Sequence, residues 1–138
     1  MGFTRHYFDD LNFVLTKITG AINDNDLAMH VDALNKESKG KTNLKELADC
    51  RAITKINLTS QGTAINASNE KPKPGSILAI LVPKDDEMIF AMARAYQMFS
   101  EDYRKSVYIF RDYHNALNWL SNDCLEEANA LDTFISSA

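Results

Sequence analysis

The chain has 138 residues, 45% of them hydrophobic, and this length and composition suit one ordinary domain. Its 15 Lys and Arg residues against 19 Asp and Glu residues give a net charge of −4 without a dense basic stripe, which argues against nonspecific nucleic-acid binding. The longest apolar run covers residues 77–82, whereas a membrane-spanning helix needs about 20 apolar residues, so we expect no membrane span.

The first half of the chain predicts a hairpin followed by alternating helices and strands. Two segments rich in aromatic and β-branched residues flank a short polar turn at residues 9–11, which is typical of antiparallel strands. A helix with one apolar face then begins at Asn23 or Asp24, either of which can cap it. The expected elements are strands at residues 3–8, 12–20 and 44–52, helices at residues 24–39 and 59–69, and a loop at residues 69–75.

The second half contains the clearest patterns. Residues 76–82 are apolar on both faces, as in an inner strand of a parallel sheet. Acids at residues 85–87 begin a helix, and Asp112 can cap another after a strand at residues 106–110. The resulting order, β-β-α-β-α-β-α-β-α, predicts an α/β fold with a five-stranded mixed, mostly parallel sheet and about four helices on its two faces.

This topology sorts the charges onto two edges of the sheet. We expect acids where the helices begin, at Asp24, Asp26, Asp85, Asp86, Glu87 and Asp112. We expect bases at the opposite edge, at Lys36, Lys39, Lys41, Lys45, Lys71, Lys73, Arg104 and Lys105. Complementation of the helix dipoles explains this layout. Because α/β sheets bind phosphates at helix starts, and this edge is acidic without a Gly-rich turn, nucleotide binding is disfavoured.

No set of residues predicts a catalytic, cofactor or metal site. Cys50 could act as a nucleophile with His6, His30 or His114 as its base, but its apolar flanks favour a buried structural cysteine. The acids at residues 85–87 could bind a cation, although capping explains them better. Two cysteines without a Cys-x-x-Cys pair and the lack of a secretory signal lead us to expect a cytoplasmic protein.

The methionines of the second half allow two interpretations. Met88, Met92, Tyr96 and Phe99 recur at helical spacing, and Met98 lies beside them. Such residues can form an adaptable binding surface, but a stripe of this kind is more often the buried face of a helix. Asp49 and Arg51 flank Cys50 on one face of a strand, where a local ion pair is expected.

The segment SILAILVPKDDEMIFAMARAYQMFSEDYRKSVYIFRDYHNALNWL (residues 76–120) resembles the SpoIIAA-like proteins of the STAS superfamily, which are also grouped with CRAL-TRIO lipid-binding domains. The features that support this resemblance are the strand ending in Val82-Pro83, the helix with Ala93-Arg94 and Tyr96-Gln97, and the final segment from Phe110 to Leu120. ELADCRAITKINL (46–58) is similar to the middle strand of the family, and KITGAINDNDL (17–27) to its opening strand, loop and helix. The resemblance covers about residues 3–122.

The resemblance implies a non-enzymatic module and two kinds of site. In anti-sigma-factor antagonists of this superfamily, a Ser at the start of the helix after the middle strand is phosphorylated and switches partner binding. The corresponding positions here are Thr59 and Ser60, whose other role would be N-capping. The lipid-binding relatives imply instead an apolar pocket beneath residues 59–69 and 85–100, with the candidate surface residues Ile65, Met88, Met92 and Tyr96.

Two functional hypotheses follow. The first is a regulatory or interaction module, at residues 1–122, that binds a protein partner or a second copy of itself as a homodimer. The alternative is a small carrier or sensor of a lipophilic molecule. Residues 123–138 form an acidic tail with Asp123, Glu126, Glu127 and Asp132 but no base, and their spaced apolar residues predict a short helix. We expect this tail to emerge near the basic edge, beside Lys36, Lys39, Lys41, Lys71 and Lys73.

Overall fold

The computed structural model describes residues 2–71 and 73–137, and within them it shows one five-stranded sheet and five α-helices. The strands are β1 (Gly2–Phe8), β2 (Phe13–Asn23), β3 (Lys45–Asn57), β4 (Lys73–Leu81) and β5 (Arg104–Phe110). The helices are α1 (Asp24–Glu37), α2 (Ser60–Ser68), α3 (Glu87–Ser100), α4 (Tyr113–Leu120) and α5 (Leu125–Ser137).

The strands lie side by side in chain order, β1-β2-β3-β4-β5. Among the described strands, β1 and β2 pair in antiparallel fashion and β2 to β5 run parallel, which confirms the predicted mixed, mostly parallel sheet. The hairpin turns through a 3₁₀ helix, Asp9–Leu11, followed by Asn12 with a positive φ of 50°. Asn12 suits this conformation because its amide side chain donates hydrogen bonds to the backbone oxygens of Thr42 and Asn43.

The three crossover helices α1, α2 and α3 lie on one face of the sheet, and α4 and α5 pack on the other. Helices on both faces were predicted, but the division between the faces was not. Each crossover joins a strand to the next one in the same direction across the sheet, so crossovers of one hand all pass over one face. We call this face, with α1, α2 and α3, the crossover face.

The helix starts are capped as the sequence predicts. Asn23 and Asp26 form a capping box at the start of α1, with both hydrogen bonds at 2.9 Å. Asp86 accepts a hydrogen bond from the backbone of Ile89 at the start of α3, and Asp112 accepts one from the backbone of Asn115 at the start of α4. These short side chains satisfy backbone N–H groups that have no partner inside a helix.

Each face of the sheet carries its own apolar core. The crossover-face core contains Ile18, Ile22, Ala48, Cys50, Ile53, Leu78, Ile80, Val82, Ile89, Ala93 and Val107. The core beneath α4 and α5 contains Phe13, Leu15, Leu47, Ala79, Leu81, Ala116, Leu117, Leu120, Ala128 and Leu131. Alternate residues of β3 and β4 enter opposite cores, which explains why residues 76–82 are apolar on both faces.

The strands are longer than predicted at the ends that carry charged or polar residues. β3 continues to Asn57 because the end of β2 pairs with it, from Ile22 opposite Ile56 to Asn23 opposite Asn57. β5 begins two residues early, at Arg104, and β4 begins at Lys73, within the predicted loop. These two bases pair in register, Lys73 opposite Arg104.

The predicted buried stripe of α3 is correct for Met92 and Tyr96, which pack against the crossover-face core, and wrong for Met88 and Phe99. Met88 is 71% exposed and Phe99 is 42% exposed, whereas Ile89, Ala93, Gln97 and Ser100 are buried. Both sets of residues recur at helical spacing, so the pattern alone does not distinguish them. The smaller side chains face inward, with Gln97 donating a hydrogen bond to the backbone oxygen of Val107 on β5. Met98 also lies on the exposed side.

Helix α5 occupies the predicted acidic tail and packs on the second core. Ala128 and Leu131 are buried, and Phe134 contacts Phe8 of β1. Glu127 of the tail pairs with Lys45, which belongs to the predicted basic edge, but within the described residues the tail forms no ion pair with Lys36, Lys39, Lys41, Lys71 or Lys73. The reason is that α4 delivers the tail to the face of the sheet opposite α1, which carries Lys36.

Candidate functional site

A space of about 50 Å³ lies between the sheet and the helices of the crossover face. Its walls come from β1 to β5, from α1 and from α3, with Leu58 contributing just before α2. The apolar wall residues are Phe3, Ile18, Ile22, Leu27, Ala48, Cys50, Leu58, Leu78, Ile80, Met92 and Ala93. The polar ones are His30, Glu46, Tyr96 and Arg104. We call this space the crossover cavity.

The polar wall of the cavity is part of a buried ionic cluster centred on Arg104. Its Nη2 donates to Glu46 Oε1 at 2.8 Å and to Glu70 Oε1 at 2.7 Å, and its Nε donates to Glu70 Oε1 at 3.0 Å. All three side chains are at most 2% exposed. Charges this deeply buried are tolerated only when they are paired and hydrogen-bonded, as they are here.

Further polar groups complete the carboxylate shell. Thr16 Oγ1 donates to Glu46 Oε2 at 2.6 Å, and the Tyr96 hydroxyl donates to Glu70 Oε2. Lys73 Nζ lies 3.5 Å from Glu70 Oε1 and also donates to Asn35 and to the backbone oxygen of Lys71. The buried ionic cluster therefore comprises Thr16, Glu46, Glu70, Lys73, Tyr96 and Arg104.

Burial and mutual pairing change the ionisation of this cluster. Burial is the largest single influence on the pKa of Glu46 and would raise it, but the opposing influences, led by the positive charge of Arg104, together outweigh burial and lower the pKa. Burial raises the pKa of Tyr96, and the neighbouring Glu70 adds to this effect, so its hydroxyl stays protonated and donates. Burial lowers the pKa of Lys73, partly offset by Glu70.

His30 lines the same cavity in its neutral form. Burial lowers its pKa to about 4, against a smaller opposing effect of Glu46. Phe3 stacks on its ring at a centroid distance of 4.6 Å, and Arg5 Nη1 lies 3.2 Å from His30 Nδ1. Because the guanidinium can only donate, Nδ1 accepts and the ring proton is on Nε2. His30 Nε2 is 3.9 Å from Glu46 Oε2, beyond hydrogen-bond distance.

The two candidate phosphorylation positions differ in their surroundings. Thr59 is the N-cap of α2: its Oγ1 accepts from the backbone of Gly62 and donates to Asp24 Oδ2 at 2.6 Å. The Thr59 backbone N–H also donates to Asp24 Oδ1. A phosphate on Thr59 would replace this donor with negative charge against Asp24. Ser60, at the first position of α2, and Thr59 are both exposed, so the engagement of Thr59 with Asp24 is the observation that favours Ser60.

The four candidate ligand-surface residues separate into two pairs. Met92 and Tyr96 line the crossover cavity, and the Tyr96 hydroxyl belongs to the buried ionic cluster. Ile65 and Met88 are 52% and 71% exposed and lie on the outer side of the helices. Within the described residues, the cavity wall contains no residue of α2, so the space lies beneath α1 and α3 rather than beneath residues 59–69.

The other candidates for chemistry are engaged or remote. Cys50 is buried, and burial raises the pKa of its thiol far above its usual range, so the thiol is protonated and a poor nucleophile. Glu87 pairs with Arg111 at 3.1 Å, and Asp86 caps α3. Asp49 and Arg51 form the expected ion pair, with two side-chain hydrogen bonds at 2.9 and 3.0 Å.

The sequence interpretation missed the buried ionic cluster. Lys73 and Arg104 were expected on an exposed basic edge, yet they are only 4% and 6% exposed. Glu70 lies within the predicted loop and is also buried. One signal was present: by alternation along the strand, Glu46 shares a face with Ala48 and Cys50, and a charge on a core-facing side of a strand needs a partner.

Comparison with known proteins shows a likeness of fold. No protein-family model matches the chain, and no curated protein matches it. Among solved structures, it is similar to an uncharacterized protein of the DUF3478 family with a SpoIIAA-like fold from Shewanella loihica PV-4. The two chains are 15% identical with a TM-score of 0.51, over 86% of this chain and 92% of the other. This chain has a SpoIIAA-like fold.

The SpoIIAA-like fold confirms the resemblance inferred from residues 76–120 and the predicted α/β class. At 15% identity, the likeness establishes the arrangement of the chain and carries no activity from one protein to the other. None of the helices described in residues 2–71 and 73–137 combines the length and apolar character that crossing a membrane requires.

Proposed function

We propose that this SpoIIAA-like chain is a non-enzymatic interaction module that binds a protein partner through the outer surface of α1, α2 and α3. The observation that carries the proposal is the set of large apolar side chains on this surface. The members that are more than two-fifths exposed are Met29, Ile65, Met88, Met98 and Phe99. Apolar residues gathered on one face are typical of protein-binding sites, and methionine adapts its shape to a partner.

The outer surface spans helices that contact one another. α2 packs against α1 and against α3, so the three helices form one layer over the sheet. Asp24 at the start of α1 binds both the backbone and the side chain of Thr59, which fixes the start of α2 against α1. A rigid layer presents its exposed side chains at a low entropic cost of binding. Phosphorylation of Ser60, at the start of α2, would add negative charge at the edge of this surface.

The non-enzymatic part of the proposal is supported by the state of the reactive groups. Cys50 is buried as a protonated thiol, and His30 is buried as a neutral ring beside Arg5. The Asp86 and Asp112 carboxylates cap helices. A base and a nucleophile within reach of each other and of solvent would support an enzyme instead.

The alternative, a carrier of a lipophilic molecule, has less support from the geometry. The crossover cavity measures about 50 Å³. A cavity of about 150 Å³ holds benzene, so a lipid tail would require the walls of this cavity to move apart. The protein-binding proposal needs no such movement, because its surface is already exposed.

The experiment compares two charge substitutions on opposite faces of the molecule. Met88 on α3 and Leu125 on α5 are almost equally exposed, at 71% and 70%. The tagged full-length chain would capture partners from cells of its source, in its unmodified form and as Met88→Glu and Leu125→Glu. We expect a stoichiometric partner that Met88→Glu loses and Leu125→Glu retains, because only the first change adds charge to the proposed surface.

The result that would overturn the proposal is equally specific. Retention of the partner by Met88→Glu together with its loss in Leu125→Glu would place the interface on the face of α4 and α5, opposite the proposed surface. Absence of any stoichiometric partner, with a monomer in sedimentation equilibrium, would remove the proposed function altogether. A concentration-dependent dimer that Met88→Glu dissociates would identify the partner as a second copy of this chain.

A further inference from the structure

The guanidinium of Arg104 keeps one unsatisfied donor. Nε and Nη2 bind the carboxylates of Glu46 and Glu70, but Nη1 is buried and has no hydrogen-bond partner within residues 2–71 and 73–137. The Arg104 side chain is 1% exposed and lines the crossover cavity. A buried donor without an acceptor is costly, and a binding group that supplies the acceptor recovers that cost.

The charges around this donor already balance. Glu46 and Glu70 carry two negative charges, and Arg104 and Lys73 carry two positive charges within the same hydrogen-bonded group. His30, the remaining titratable group on the α1 side of the cavity, is neutral at pH 7. An anion entering the cavity would leave one uncompensated charge in a buried place, whereas an uncharged acceptor would not.

The rest of the cavity is shaped for a small apolar body. Facing the polar wall are aliphatic and aromatic side chains from the sheet and from α1 and α3, including Ile80, Leu78 and Met92. Its volume of about 50 Å³ is roughly a third of the ~150 Å³ that accommodates benzene. The space therefore matches molecules with only a few non-hydrogen atoms.

We propose that the crossover cavity is a binding site for a compact, uncharged molecule whose carbonyl or ether oxygen accepts a hydrogen bond from Arg104 Nη1 and whose apolar part packs against β4 and α3. The site lies on the inner side of the helices. It is independent of the proposed protein-binding surface, which lies on their outer side.

The test uses three probes of similar size on the isotopically labelled full-length chain. Acetone supplies an uncharged acceptor, acetate is nearly isosteric but charged, and isobutane lacks an acceptor. We expect nuclear Overhauser effects between the acetone methyls and the methyls of Leu78, Ile80 and Met92, together with a shift of the Arg104 side-chain N–H signals. Acetate and isobutane should bind at least about tenfold more weakly than acetone. Binding of acetate would bury its charge, and binding of isobutane would leave Nη1 unpaired.

Two matched variants locate the binding. Ala93 on α3 lines the cavity, whereas Ala116 on α4 belongs to the other core, and both are fully buried. Ala93→Val adds two methyl groups to the cavity and should abolish acetone binding, while Ala116→Val should leave it unchanged. Each variant's folding is checked by its amide spectrum. If Ala93→Val does not fold, the contacts of acetone with the unmodified protein still decide the question.

Three outcomes would overturn the proposal. The first is an absence of contacts between acetone and the cavity methyls up to the highest concentration that the folded protein tolerates. The second is acetate binding as tightly as acetone, which would contradict the charge argument. The third is contact of the Arg104 side chain with water alone, unaffected by acetone, which would make the cavity a hydration site. None of these outcomes affects the test of the outer surface with Met88→Glu.

Discussion

Replacement of Arg104 by Met tests whether the buried ionic cluster holds the fold together. Arg104 makes three charged hydrogen bonds to Glu46 and Glu70. Each charged hydrogen bond contributes about 1.5–3 kcal/mol, and the sum over the three is an upper limit on the free energy of unfolding that the variant loses. The loss is smaller because Thr16, Lys73 and Tyr96 still bind the carboxylates. Removal of one partner from a buried pair costs about 3–5 kcal/mol, and we expect a loss of this size at pH 7.

The assay is urea unfolding at pH 7, followed by the fluorescence of Trp119, the single tryptophan of the chain. The loss is a large part of the roughly 5–15 kcal/mol that stabilises a typical domain, and it should lower Tm by about 10 °C or more. Arg51→Met is the matched control, because Arg51 pairs with Asp49 at the surface and its side chain is 48% exposed. There we expect a loss of about 1 kcal/mol or less.

The pH dependence gives the same prediction a second readout. In the unmodified protein the pKa of Glu46 is lowered, so its contribution to stability is present above the unfolded value of 4.5 and is lost as the pH falls below it. Without Arg104, burial dominates and raises this pKa, so ionised Glu46 destabilises the variant near neutral pH. The difference in stability between the two proteins should shrink as the pH falls from 7 to about 4.

Two results would refute this reasoning. One is an Arg104→Met variant within about 1 kcal/mol of the unmodified protein at pH 7, which would mean that the cluster contributes little. The other is a stability difference that does not change with pH, which would show that the loss comes from packing around the Arg104 stem rather than from the uncompensated carboxylates.

Three further predictions concern other parts of the molecule. A Cβ on Gly62 would overlap the carboxyl group of Asp24, so Gly62→Ala should lower the free energy of unfolding by about 1–3 kcal/mol. In a double-mutant cycle by urea unfolding, Asp24→Ala should relieve much of that loss, and strictly additive effects would contradict the overlap. A thiol reagent should modify one cysteine of the native protein, Cys124, and both cysteines of the denatured protein, because Cys50 is buried as a protonated thiol. Rapid modification of both cysteines in the native state would contradict this. His30 should titrate near pH 4 by NMR, and because its folded pKa is below the usual 6.5, its contribution to stability is present above pH 6.5 and declines as the pH falls toward 4. An ordinary His30 titration near 6.5 would show that the ring is open to solvent.

Much of the fold was predictable because its signals are local. The capping side chains Asn23, Asp86 and Asp112 stand directly before the helices that they begin. The doubly apolar residues 76–82 indicate a strand between two cores, as β4 proves to be. Alternation of such elements leads to a parallel sheet by rules of chain connection that do not depend on the detailed side chains.

The candidate sites were harder to predict because they depend on contacts between distant residues. Glu46 and Arg104 are 58 residues apart, and Glu70 and Arg104 are 34 residues apart, so no spacing in the sequence predicts that they pair. The face that α3 buries was ambiguous for another reason. Two stripes of that helix share the same period, and the close packing around Ala93 places one of them innermost, with Met92 and Tyr96 of the other partly buried beside it.

The position of Arg104 has a consequence for how the molecule opens. Through its two carboxylate partners it connects the first residues of β5 and β3 with the segment after α2, and Tyr96 extends the connection to α3. Separation of any one of these segments would strand a charge in an apolar interior. Partial unfolding of any of these segments therefore carries the cost of an unpaired buried charge. Amide hydrogens of β3, β5 and α3 should then exchange with solvent as one cooperative unit, while the end of α5 exchanges earlier and independently.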